Sequence, residues 1–101
     1  MLSQKQFEPI LNKLIQFSGV STVIIANEEG FPLAFRSNKG DFTSEEAEAI
    51  AALLVALLGR ATSSISQFRG GRLNSITMDI QGGEILIAVE DDYIVIALRG
   101  E

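Results

Sequence analysis

Thr43-Ser44-Glu45-Glu46-Ala47-Glu48-Ala49-Ile50-Ala51-Ala52-Leu53-Leu54-Val55-Ala56-Leu57-Leu58 is the stretch from which the fold is read. It opens on a capping-box pattern, with Thr43 as N-cap and Glu46 at the third helical position. Three glutamates stand in the first turns, where the helix macrodipole favours negative charge. Gly70-Gly71 supplies a stop. A helix of roughly 24 residues, about 36 Å long, is therefore predicted from here to about Gln67. Between positions 47 and 58 one side chain in twelve is charged, so the helix is apolar nearly all round. A helix lying on a sheet needs a single apolar stripe, and this one has apolar surface left over.

The larger side chains, Ile50, Leu53, Leu54 and Leu57 with Ala61 and Phe68 further on, form a stripe suited to a sheet core. Ala47, Ala51, Val55, Leu58, Gly59 and Thr62 lie on the other side. Small residues at that spacing let two helix backbones approach closely, and a glycine at 59 costs ~1 kcal/mol relative to alanine unless packing uses it. No other helix in the chain can cover this second face, so the expected partner is another copy. Left in water it would be a contiguous apolar patch of the kind soluble monomers seldom show. Val55→Asp is expected to break the pairing by burying an unpaired charge.

Outward from the helix, Phe7, Ile10, Leu11, Leu14 and Ile15 fall on one helical face, with Pro9 tolerated in the first turn and Ser18-Gly19 ending the element. Val20 to Asn27 and Phe31 to Arg36 read as a hairpin around Glu28-Glu29-Gly30, and Pro32 places the second strand at a sheet edge or at its own first residues. After the long helix come three strands, 72–81, 84–90 and 93–99. Gly82-Gly83 forms a two-residue turn between the first two, and Glu90-Asp91-Asp92 a second turn. Ile76, Met78 and Ile80 alternate with polar residues, whereas the last two strands are apolar on both faces, so the sheet is expected to be covered on two sides. Residues 1–101 thus form a single α+β domain, an α/β sandwich of order α-β-β-α-β-β-β.

The 101 residues hold no Cys, His or Trp, which removes thiolate nucleophiles, imidazole bases, Cys/His zinc sites and disulfides. The net charge of −5 argues against a nucleic-acid footprint. Six of the 13 acidic residues stand in the last third, a solubilising distribution that would also favour basic protein surfaces. No phosphate-binding glycine motif occurs. Asp79, Glu84, Glu90, Asp91 and Asp92 read as solvated surface, and Ser63, Ser64 and Ser66 have no histidine to activate them. No catalytic, cofactor or metal site is assigned. Arg60, Arg69 and Arg72 flank the end of the long helix and are candidate contacts to a partner's carboxylates or phosphates. No signal-peptide run is present and the charge-free stretch from Ala49 to Gly59 is short for a membrane span, so a cytoplasmic location without membrane insertion is expected.

The segment Ser18-Gly19-Val20-x-x-Val23-Ile24-Ile25-x-Asn27-x-x-Gly30-x-Pro32-Leu33-Ala34, the alanine-rich Glu48-Ala49-Ile50-Ala51-Ala52-Leu53-Leu54 and the closing Gly83-x-Ile85-Leu86-Ile87 and Asp92-Tyr93-Ile94-Val95 resemble the Roadblock (dynein light-chain) family over nearly the whole chain. The resemblance implies a profilin-like, five-stranded antiparallel sheet carrying the long helix on one face. It also implies homodimers joined through those helices and through edge pairing of the third strand, here Ile76 and Met78. The implied role is a non-catalytic adaptor, scaffold or activating partner of a Ras-like small GTPase in polarity, motility or signalling. Many relatives add a third helix that this chain lacks, which would leave part of one sheet face open to another protein. A small-molecule-sensing or general interaction module of PAS or profilin-like type is the alternative, and it would need a pocket with polar groups.

Overall fold

The computed structural model describes residues 4–100. A turn of 3-10 helix, Gln4–Phe7, leads into α1 (Glu8–Ile15), followed by β1 (Val20–Ala26), β2 (Pro32–Ser37), α2 (Ser44–Gln67), β3 (Ser75–Ile80), β4 (Gly83–Val89) and β5 (Ile94–Gly100). The strands form one five-stranded antiparallel sheet in the order β2-β1-β5-β4-β3, with α1 on one face and α2 on the other. The expected α+β class and element order hold.

Strand alternation sorts the apolar runs into two cores. Ile24 and Ala26 of β1, Ile87 of β4, and Ile94 and Ile96 of β5 face α2, whereas Val23, Ile25 and Val95 face α1 together with Phe7, Leu11 and Ala34. Side chains of adjacent residues point to opposite faces, so two buried faces require strands apolar at every position. Pro9 sits in the first turn of α1, and Pro32 opens an edge strand where its missing N–H leaves no ladder bond unmade. Gly30 takes φ +90° in the β1–β2 turn, and Asn27 Oδ1 accepts from the backbone N–H groups of Glu29 and Phe31 there. The Arg36 guanidinium on β2 donates to Glu8 at the start of α1, tying helix to sheet.

Two local boundaries differ from expectation. β3 begins at Ser75, three residues later than predicted, because its pairing with β4 starts at Ser75↔Ala88. The β3–β4 turn is centred on Gln81-Gly82, and Gly83 already belongs to β4. There it lies so close to β5 that a side chain would collide with the Arg99 carbonyl.

α2 is rotated relative to the predicted assignment: Ile50 and Leu54 pack on the core as expected and Gly59 and Thr62 are exposed, but Ala47 and Ala51, expected outside, turn inward and part of the large stripe turns out. Ala47 and Ala51 are fully buried against the sheet, Leu58 is buried with them, and Val55 is half-buried in the same core. Leu53 is 71% exposed, Phe68 equally so, and Leu57 lies partly in solvent. The strands already bring isoleucines to this core, so the helix fits closest with its small side chains inward. A Cβ on Gly30 would stand only 3.2 Å from the Ala52 Cα, which shows how near the β1–β2 turn approaches the helix backbone. Ala47 and Ala51 are consequently core residues with no surface to offer a partner, and Leu58 keeps only a small exposed edge. Val55→Asp would damage the fold before it reported on pairing.

By length and composition α2 is also apolar enough to cross a membrane, which a count confined to Ala49–Gly59 misses, since Arg60 is the one charge between Ala49 and Gln67. In this structure it lies on the sheet, yet only 11% of its most apolar window is buried within the chain.

Candidate functional site

No three His, Cys, Asp or Glu side chains come together to hold a metal ion among the described residues. Ser66 Oγ donates to the Thr62 carbonyl and Thr62 Oγ1 to that of Leu58, the local back-bonding usual for hydroxyls in helices. Asp79, Glu84, Glu90, Asp91 and Asp92 are all exposed, and Glu84 accepts from Arg99 at 3.3 Å across the β4–β5 ladder.

What the structure does present is apolar surface. The outer flank of α2 exposes Ala49, Ala52, Leu53, Ala56 and Leu57, spaced at three and four residues and so aligned along the helix. Beside this flank a cleft of about 300 Å³ opens over the sheet, between Ile50, Leu53 and Leu54 of the helix and Ile80, Ile85 and Leu98 of the strands. Ile76 and Met78 lie half-buried on the same side of β3, the free edge of the sheet.

Of the positions singled out in the sequence, Val55, Leu58, Gly59 and Thr62 are brought together with Arg72 along a second groove of about 430 Å³. Leu73, Val89 and Ile94 complete its apolar wall. Gly59 and Thr62 are exposed, and a Cβ on Gly59 would meet open space. Arg60, Arg69 and Arg72 are exposed and make no ion pair among the described residues, unlike Arg36 and Arg99.

The opposite face of the sheet is only half covered. α1 packs over β1 and β2, and next to it Leu14, Phe17, Val20, Thr77, Leu86 and Ala97 line an open groove of about 290 Å³. Phe17 is 56% exposed there. Leu53, Leu57 and Phe68, assigned to the sheet-facing stripe, and Phe17, Phe31, Ile80 and Leu86 were the large apolar surface residues that composition and spacing failed to single out as exposed. The available signal was the isoleucine content of the strands, which draws the smallest helix side chains, Ala47 and Ala51, closest to the sheet.

Comparison with known proteins agrees with this architecture. The Roadblock/LC7 domain profile matches residues 6–99. The Roadblock/LC7 domain from Streptomyces avermitilis superposes with a TM-score of 0.80 at 14% identity, covering 92% of this chain and 77% of that one. The gliding protein MglB of Thermus thermophilus gives 0.80 at 12% identity over 96% of this chain and 73% of its own. Myxococcus xanthus MglB gives 0.82 at 5% identity over 95% and 76%. A further MglB structure, described as having a tetrameric arrangement, superposes with a TM-score of 0.80 at 12% identity over 96% and 72%. A search of curated protein sequences finds no match. At such identities the structural likeness speaks for the fold, while the profile spans almost every described residue: the chain belongs to the Roadblock/LC7 family.

Proposed function

We propose that two copies of this chain pair through the outer flank of α2 and that the pair acts in the cytoplasm as a non-catalytic adaptor or regulator of a Ras-like small GTPase. The observation that carries the reading is Leu53, 71% exposed in the middle of a helix of 24 residues whose outer flank is otherwise alanine and leucine. An apolar stripe of this length is unfavourable in water, at about 25 cal/mol per Å² of exposed apolar area, and a second α2 supplies a complementary stripe. Membership of a family of small-GTPase regulators and the resemblance to MglB, one structure of which has a tetrameric arrangement, support both the self-association and the partner class. Relative to the sequence expectation, the pairing surface moves from Ala47, Ala51 and Leu58 to Leu53 and Leu57. Gly59 and Thr62 stay at its margin, and Ile76 and Met78 stay beside the free edge of β3.

The test is to mix the purified protein with the Ras-like GTPases encoded in the same genome and to follow both binding and nucleotide turnover. Binding to at least one of them, in one nucleotide state more than the other, is the expected result. Absence of binding to all of them sinks the GTPase reading. The cleft beside Leu53 and Leu54 keeps a second reading in view, that of a small apolar ligand seated against the sheet with Lys39 and Ser21 at its rim. A ligand retained in native mass spectra of the freshly purified protein would favour it.

A further inference from the structure

We infer that the groove along the second half of α2 is a docking site for a basic, partly apolar segment of another protein. Its lysine or arginine would meet Glu28 and the neighbouring carboxylates, and its apolar side chain the wall made by Leu58, Leu73 and Ile94. Three pieces of chain come together at this end of the sheet. β1 and β5 are paired up to Ala26↔Ile94, β4 and β5 up to Val89↔Ile94, and the Val89 N–H donates to the Asn74 carbonyl at 2.8 Å. The β1–β2 turn, the β4–β5 turn and the α2–β3 link therefore lie side by side, and the space between them and the helix is about 430 Å³.

The helix wall of this groove is cut back. Val55, Thr62 and Ser66 fall on one line of α2 with Gly59 between them, and a Cβ at Gly59 would meet nothing within 4 Å. Glycine inside a helix lowers its stability, and no contact within the chain makes use of it here. The hydroxyl donors on this wall are engaged within the helix, Thr62 Oγ1 on the Leu58 carbonyl at 2.8 Å and Ser66 Oγ on that of Thr62 at 3.1 Å. From Val55 to Ser66 the helix rises about 16 Å. An extended chain at ~3.3 Å per residue covers that length in about five residues, so the groove suits a peptide segment.

Charge selects the composition of that segment. Glu28 and Glu90 border the groove, and Glu29 and Asp92 line the adjoining hollow together with Glu28. All four are exposed, and none shares in the ion pairs among the described residues, which join Glu8 to Arg36 and Glu84 to Arg99. One guanidinium opposes them, that of Arg72, and it stands toward the other end of the groove. Arg72 follows the end of the helix, whereas the turn that carries Glu28 approaches α2 at Ala52. Four carboxylates against one guanidinium, on a chain of net charge −5, favour a cation. Nucleic acid, an anionic bilayer and a second copy bringing the same carboxylates are each repelled. The carboxylates are not grouped to hold a metal ion. A segment whose basic residues lead onto an apolar one matches both the rim and the wall. The site stands apart from the proposed pairing, since Leu53 and Leu57 lie nearly opposite Val55 and Thr62 around the helix.

Fluorescence anisotropy with the labelled peptide Lys-Arg-Ser-Leu-Leu-Ser tests the site, with Glu-Glu-Ser-Leu-Leu-Ser and Lys-Arg-Ser-Ser-Ser-Ser as controls. The first peptide is expected to bind at low salt and to weaken as salt is raised. The acidic control should not bind, and the control without leucine should bind several-fold more weakly. The Glu28→Lys/Asp92→Lys double variant should lose at least ~10-fold in affinity, while Arg72→Ser should bind as tightly as the parent or more so. Gly59→Leu puts bulk into the open side of the groove. It should weaken binding several-fold yet melt no lower than the parent, because leucine is the better helix former. Leu53→Asp should leave the peptide's affinity unchanged, so failure of the α2 pairing is distinguishable from failure here. No binding of the first peptide, equal binding of the acidic control, or unchanged affinity in the double variant or in Gly59→Leu overturns the inference. So does a Gly59→Leu protein that loses particle mass and keeps the peptide, which would put a second copy in the groove.

Discussion

Ala51 shows how much depends on a side chain of one carbon. It is fully buried where α2 crosses the sheet, next to Ala52, whose Cα stands against the β1–β2 turn at Gly30. Ala51→Leu would push three extra heavy atoms into a core already filled by Ile24, Ile87 and Ile96, and should lower stability by about 1–3 kcal/mol. Chemical denaturation of the purified variant checks it. Were Ala51 on a surface shared with a partner, the same change would alter the mass of the particle and leave the intrinsic stability alone. At this scale the sequence was half legible. The presence of a small-residue stripe and a large-residue stripe was plain from the spacing, but how the helix is rotated between them depends on bulk supplied by β1, β4 and β5, which the helix sequence does not contain.

Within single elements the physics is local, and so was the reading. Thr43 Oγ1 accepts from the Glu46 N–H at 3.1 Å and Glu46 Oε1 accepts from the Thr43 N–H at 3.3 Å, the reciprocal pair expected from Thr-x-x-Glu. Removing it by Thr43→Ala should cost ~1 kcal/mol and fray the first turn of α2, measurable as a lowered denaturation midpoint with little change in helical circular dichroism. The helix bounds, the turn at Gly30 and the position of Pro32 were all recoverable for the same reason, because neighbours within a few residues decide them. The start of β3 and the turn at Gln81-Gly82 were not. They are fixed by register with β4 and by the close approach of Gly83 to Arg99, both contacts between distant parts of the chain. The Arg36–Glu8 ion pair is likewise a long-range contact. Both side chains are partly in solvent, so its contribution is at most about 1 kcal/mol.

For the molecule as a whole, the order β2-β1-β5-β4-β3 and the division into two cores explain why the final strands are apolar on both faces. The doubly apolar pattern was legible, and so was the shortage of cover for α2. The strand order itself was not, since no spacing rule places β5 between β1 and β4. The open groove at Phe17 and Leu86 falls on the part of the sheet that α1 does not reach. Leu53→Asp decides the proposed assembly: it should leave the melting temperature of the fold nearly unchanged, because the side chain is already 71% exposed, while reducing the mass measured by light scattering to that of one chain. An unchanged mass would place the contact between copies elsewhere.

The strand that fills the middle of the sheet is the last of the five to be made, and its Gly100 N–H donates to the carbonyl of Gly19 next to the first strand. A ribosome therefore delivers the β1–β2 hairpin and a greasy helix well before the strand that joins them to β3 and β4. Until that strand emerges, α2 has half a floor to rest on. The nascent polypeptide is then a natural client for whatever shields oily helices at the exit tunnel, and a message truncated ahead of β5 should yield only insoluble product.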